Sequence, residues 1–161
     1  MSGKVFVIAD LHFGHLKLAK LRGFADSDQH DAFLIDAWNR TVDKRDVVYV
    51  LGDVMNPEKV RQLHGIKKLV MGNHDQKPVA HYNAFSRLCG SYEYDGCLLT
   101  HIPVHPSQFP RYRLNIHGHT HEHRLDDRRY VPTSVERCPD YAPMLLNRLI
   151  ADADEALCPT F

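Results

Sequence analysis

Residues 5–12, VFVIADLH, run five apolar residues straight into an aspartate and a histidine two positions apart. The run is short, β-branched and aliphatic, so it reads as a buried strand rather than a helix. In an extended segment residues i and i+2 point the same way, which lets Asp10 and His12 face one point. The same arrangement recurs down the chain. Val47-Val48-Tyr49-Val50-Leu51 leads into Gly52-Asp53, and Ile66 with Leu69-Val70-Met71 leads into Gly72-Asn73-His74-Asp75. Leu98-Leu99 comes just before His101, and Leu114 with Ile116 just before Gly118-His119-Thr120-His121. Ligands of open α/β sheets bind at the carboxyl ends of the strands. Five strands ending this way are expected to gather Asp, Asn and His side chains on one rim.

Outward from these runs, helical segments are expected at about 16–22 and 29–42. The second carries Ala32, Phe33, Ile35, Ala37 and Trp38 on its apolar side, with Asp28 placed as an N-cap. Asn56-Pro57-Glu58 has the form of a cap followed by proline at the first helical position, opening a helix to about 64. Strand and helix in alternation imply right-handed crossovers and a mostly parallel first sheet. The second half predicts strands at 91–94, 97–100, 113–116, 129–131 and 134–136, with Asp95-Gly96 turning a hairpin. A helix over about 147–153 follows, and the Pro159-Thr160-Phe161 tail is expected to fray.

The composition is that of a globular enzyme domain: 161 residues, 43% apolar and 25% charged, read as one domain over residues 1–161. The short separation of His101 from Gly118 leaves no room for a cap domain. Lys plus Arg and Asp plus Glu number 20 each, so no global field holds a long polyanion, and extended nucleic-acid binding is disfavoured. No apolar stretch reaches bilayer length, and Met1-Ser2-Gly3-Lys4 enters the first strand without a signal-peptide core, so a cytoplasmic location is expected. Cys89, Cys97, Cys138 and Cys158 have no metal-finger spacing and read as reduced thiols.

Carboxylates beside imidazoles, with no thiolate, suit borderline divalent ions: manganese, iron, zinc or nickel. Asp53, the lone carboxylate after the second strand, is the natural bridge between two ions, and Asn73 adds a neutral amide oxygen. Two ions about 3.5–4 Å apart bind a phosphoryl oxygen and acidify a bridging water toward neutrality. His74, next to Asn73, is placed to protonate the leaving alkoxide, and Asp75 to orient its imidazole and raise its pKa.

The ordered set D-x-H, GD, GNHD, H and GHTH, spanning residues 10 to 121, resembles the calcineurin-like metallophosphoesterase superfamily. The resemblance implies an α/β fold, a four-layer αββα sandwich of two mixed sheets flanked by helices. By residue matching it implies one ion held by Asp10, His12, Asp53 and His121, and a second held by Asp53, Asn73, His101 and His119. His74 matches the family's catalytic histidine. The implied activity is a metal-dependent phosphoesterase, with phosphodiesters favoured over monoesters. A nuclease acting on short nucleic acid and a non-catalytic metal-binding scaffold are the alternatives. The expected partner is a small phosphate ester or nucleotide, with His15, Arg111 and Arg113 as candidate contacts to its phosphate or base.

Overall fold

The structure is a computed structural model that describes residues 3–158, so the expectation for the 159–161 tail lies outside the described residues. Along the chain the elements are β1 (Val5–Ile8), α1 (Leu16–Leu21), α2 (Ser27–Thr41), β2 (Val47–Val50), β3 (Ile66–Val70), β4 (Arg87–Cys89), β5 (Tyr92–Tyr94), β6 (Cys97–Thr100), β7 (Leu114–His117), β8 (Tyr130–Pro132), β9 (Met144–Leu145) and α3 (Leu146–Leu157). They form two mixed sheets flanked by helices, ordered β4-β3-β2-β1-β9 and β5-β6-β7-β8. In the first sheet only β9 is antiparallel, and in the second only β5.

Strand alternation assigns side chains to layers. Phe6 and Ile8 of β1 join Val48 and Val50 of β2 beneath Leu34 and Trp38 of α2. Val7, Ala9, Tyr49 and Leu51 face the other way and meet Cys97, Leu99, Leu114 and Ile116 of the second sheet, with Leu146 and Ile150 of α3 alongside. Both faces of β1 and β2 are thus covered, which is why these two runs are apolar at every position. Burying each such side chain contributes about 1.5–3 kcal/mol. The outer face of the second sheet carries polar Asn115 and His117, and the 101–112 segment covers it. There Val104 donates its N–H to Asn115 Oδ1 at 3.0 Å and receives the Tyr130 hydroxyl on its carbonyl at 2.6 Å.

The sheets are also joined at the rim. Ala9, just past β1, donates its N–H to the Thr133 carbonyl at 2.8 Å and accepts that of Val135 at 3.0 Å. The chain therefore crosses from β8 to the first sheet directly beneath the candidate ligands.

Several local expectations change. Asp26, not Asp28, caps α2, its side chain accepting the Gln29 N–H at 2.8 Å. The helix expected after Asn56 is a 3-10 helix, Pro57–Gln62, still capped by Asn56. The strand expected at 134–136 is a 3-10 turn, Val135–Arg137, because only one bridge, from Ser134 to Ala9, forms before the chain turns. No helix among the described residues is long and apolar enough to cross a membrane.

Candidate metal centre

Every expected ligand lies just beyond the carboxyl end of a strand: Asp10 and His12 after β1, Asp53 after β2, Asn73 after β3, His101 after β6, and His119 and His121 after β7. The strands end abruptly. Asp10, His12, Asp53, His119 and His121 all have positive φ, between 48° and 69°. Such conformations cost about 1–3 kcal/mol each for non-glycine residues and persist only where surrounding contacts impose them. Those contacts are present. Asp10 N–H meets the Gly52 carbonyl at 3.0 Å, His12 N–H the Asp53 carbonyl at 2.8 Å, and Gly118 N–H the His101 carbonyl at 3.0 Å. Two glycines leave room for this crowding. A Cβ on Gly72 would lie 2.3 Å from Asp53 Oδ1, and one on Gly118 would lie 2.9 Å from Asp10 Oδ2.

Two groups of donor atoms result, Asp10 with His12 and His121, and Asp53 with His101 and His119. In the first, Asp10 Oδ1 and His12 Nε2 are buried, make no hydrogen bond, and face each other at 3.9 Å. Orphaned buried polar atoms are rare and need a partner. In the second, His101 Nδ1 donates to the Leu51 carbonyl at 2.8 Å, so its Nε2 is the lone-pair nitrogen in the neutral ring. That Nε2 faces Asn73 Oδ1 at 2.9 Å and Asp53 Oδ1 at 3.4 Å. Three acceptors converging on one another are the surroundings of a cation, so the residues present fit divalent ions in both groups.

Asp53 lies between the groups. Its Oδ2 is 3.5 Å from His12 Nε2, while its Oδ1 faces His101. Burial opposes its ionisation, but His101, the His74 N–H and His12 outweigh that and hold its carboxyl below the usual range. Burial has the upper hand at Asp10, pushing its pKa to about 6 against Ser134, His101 and His121. Burial also keeps His12 neutral, far below the ordinary imidazole value. At His101 burial is outweighed by Asp53 and the Leu51 carbonyl, and the pKa rises.

His74 stands at the open edge, its side chain 48% exposed, with Nε2 4.0 Å from Asp53 Oδ2 and its ring 5.4 Å from that of His12. The contact expected between Asp75 and His74 is replaced by another. Asp75 is buried and accepts four backbone N–H groups, from Gly72, Asp53, Val54 and Met55, at 2.9 to 3.3 Å. A carboxylate flanked by unpaired loop amides satisfies them in preference to an exposed ring. His15 caps α1, its Nδ1 accepting the Leu18 N–H at 3.2 Å, with its ring 5.7 Å from that of His12. Arg111 and Arg113 are not brought to the rim. Arg113 sits at the amino end of β7, paired with Asp95 at 2.8 Å and Asp154 at 3.6 Å, and Arg111 approaches Glu93 at 3.7 Å. Two residues that reading the sequence does not single out do reach the site, Arg22 and Glu136, the latter 2.9 Å from His121 Nδ1. The four thiols are free, and none joins either donor group.

No family model matches the chain. It is 30% identical to the Gene 66 protein of Mycobacterium phage D29 over 198 aligned positions, covering 95% of this chain and 98% of that protein. It is 30% identical to the uncharacterised protein MJ1445 of Methanocaldococcus jannaschii over 171 positions, covering 91% of this chain and 89% of that protein. Among solved structures, a protein of unknown function from Aquifex aeolicus, AQ665, superposes with a TM-score of 0.73 at 24% identity, over 93% of this chain and 98% of that one. The last likeness is one of fold.

Proposed function

We propose that this chain, which belongs to one family with the Gene 66 protein of Mycobacterium phage D29 and archaeal MJ1445, is a calcineurin-like metallophosphoesterase, a dinuclear-metal-dependent phosphodiesterase acting on small phosphate esters or nucleotides. The observation that carries this reading is the placement of Asp53, whose two carboxylate oxygens face histidines of different donor groups. Asp10, His12 and His121 would hold one ion, Asn73, His101 and His119 the other, and Asp53 would bridge them. Divalent ions there supply Lewis-acid polarisation of the phosphoryl group and an acidified water.

The chain's own residues do the rest. Buried Asp10 and Asp53 keep negative charge on the floor of the site, so the phosphoryl group is received from the open side. His74, half exposed above Asp53, meets the leaving oxygen there and donates a proton to it. Asp75 ties the loop that carries Asp53 to the loop that carries His74, rather than holding the His74 ring itself. With no cap domain over the rim in this reading, small esters reach it directly.

Manganese-stimulated release of nitrophenol from bis-nitrophenyl phosphate, faster than from nitrophenyl phosphate and abolished by chelation, is the expected result. A folded preparation that binds manganese but hydrolyses neither ester rejects the enzyme reading. Faster turnover of the monoester rejects the preference for diesters.

A further inference from the structure

We propose that Arg22 and Glu136 are positioning residues that tie Asp10, His12 and His121 into one preformed unit and make it the tighter of the two ion sites. This rests on the metal-binding reading above. The side chain of Arg22 is only 2% exposed, yet all five of its N–H donors are engaged. Nε donates to Glu136 Oε1 at 2.8 Å, and Nη2 lies 2.7 Å both from that oxygen and from the Asp10 carbonyl. Nη1 donates to the Leu11 carbonyl at 3.3 Å and to His30 Nε2 at 2.9 Å. His30 passes its own Nδ1–H to Asp31 at 3.0 Å, which fixes it as the acceptor. One guanidinium therefore grips the backbone of the Asp10-Leu11-His12 segment, where both ligands have positive φ, and the carboxylate that holds His121.

Glu136 Oε1 also accepts Nδ1–H of His121 at 2.9 Å. This sets the tautomer that leaves Nε2 of His121 as the free lone pair, pointing the ring into the group. A carboxylate acceptor makes an imidazole a stronger ligand than a carbonyl does. The histidines of the other group have no such support: His101 donates to the neutral Leu51 carbonyl, and His119 is exposed. His12, the partner of His121 in the first group, has only the Met55 thioether at 3.1 Å from its Nδ1. The stronger hold on the first ion thus falls to His121 and the pair behind it. No local pattern in the sequence announces this, since Arg22 and Glu136 are 114 positions apart.

The test is calorimetric titration of the full chain with Mn²⁺ alone, at one pH, for the wild type, Glu136→Ala, Glu136→Gln and Arg22→Lys. The wild type is expected to show two binding events of unequal affinity. Glu136→Ala should weaken the tighter event about 10–100-fold, the usual effect of removing a ligand's supporting partner, and leave the other within about twofold. Glu136→Gln keeps an acceptor for Nδ1–H and should recover part of the loss. Nitrogen-15 histidine spectra of the ion-free chain give a readout independent of metal and of turnover. His121 should be the Nδ1–H tautomer in the wild type and in Glu136→Gln, and a mixture in Glu136→Ala. Equal weakening of both events, or of neither, in variants that still unfold cooperatively overturns the proposal. If Glu136→Ala fails to fold, Glu136→Gln and Arg22→Lys decide by the same criterion. A wild type that binds no Mn²⁺ removes the metal reading itself and this proposal with it, whereas two intact sites in Glu136→Ala remove this proposal alone.

Discussion

The Asp75 carboxylate accepts the backbone N–H of Asp53 at 2.9 Å, although 22 residues separate the two acids. The bond joins the loop after β2 to the loop after β3, and the same carboxylate takes the N–H groups of Gly72, Val54 and Met55. Asp75→Asn puts an amide donor against backbone donors. It is expected to lower stability by about 2 kcal/mol, the scale of a lost charge-assisted hydrogen bond, and to impair turnover through the displaced Asp53. Denaturant unfolding and ester hydrolysis measure the two effects. Unchanged stability with lost activity would mean that Asp75 acts on substrate instead.

Asp53→Asn is expected to be the most damaging single substitution among the proposed ligands, because in the proposed site each of the others would serve one ion and Asp53 two. Elemental analysis after gel filtration should show loss of ions from both groups. Full occupancy by two ions with wild-type turnover would reject the bridge.

His74→Ala is expected to retain both ions and to slow hydrolysis by roughly 10²–10⁴-fold on esters with a poor leaving group. Nitrophenolate departs without a proton, so the loss on nitrophenyl esters should be small. Equal losses on nitrophenyl and alkyl esters, with ion content intact, would assign His74 to holding the phosphoryl group.

Ion uptake should depend on pH through Asp10, whose carboxyl pKa burial raises from its ordinary value of 3.8 to about 6. An ion binds the carboxylate form, so affinity should fall about tenfold or more per unit as pH drops below about 6. The ion-free chain has the opposite linkage. Between pH 3.8 and 6 the folded state binds more protons at Asp10 than the unfolded state does, so this group's contribution to stability declines as pH rises through that window. The melting-temperature gain on adding Mn²⁺ should therefore be larger at pH 7.5 than at pH 5. A gain that shrinks with rising pH would contradict the assignment of Asp10 as a buried ligand.

Thiol chemistry should leave turnover untouched. Cys158 is exposed and should alkylate first, while burial raises the pKa of Cys89 and Cys97 and pushes that of Cys138 to about 12. Mass spectrometry alongside an activity assay reads both. Inactivation that tracks modification of Cys158 would place a thiol in the site.

Much of the sheet order, and the rim of Asp, Asn and His side chains, was legible because β1 and β2, buried on both faces, leave uninterrupted apolar runs, the other strands keep apolar residues at their inward positions, and the strand ends are marked by Asp, Asn and His. β4 and β9, three and two residues long at the edges of the first sheet, carry too little pattern to stand out. The contacts of Arg22, Glu136 and Asp75 were not legible, since each joins segments that only the finished fold brings together. Arg111 and Arg113 misled for a related reason. A basic cluster says nothing about which end of a strand it occupies, and Arg113 lies at the end of β7 away from His119.

Ala9 is hydrogen-bonded on both sides to the segment leaving β8, so the two sheets are sewn together where their ligands meet. A site assembled from two layers would open most easily by sliding one layer over the other, and this seam opposes that motion. For the proposed esterase the expectation is an approach over a rim whose two layers stay in register, with movement left to the exposed turns around it.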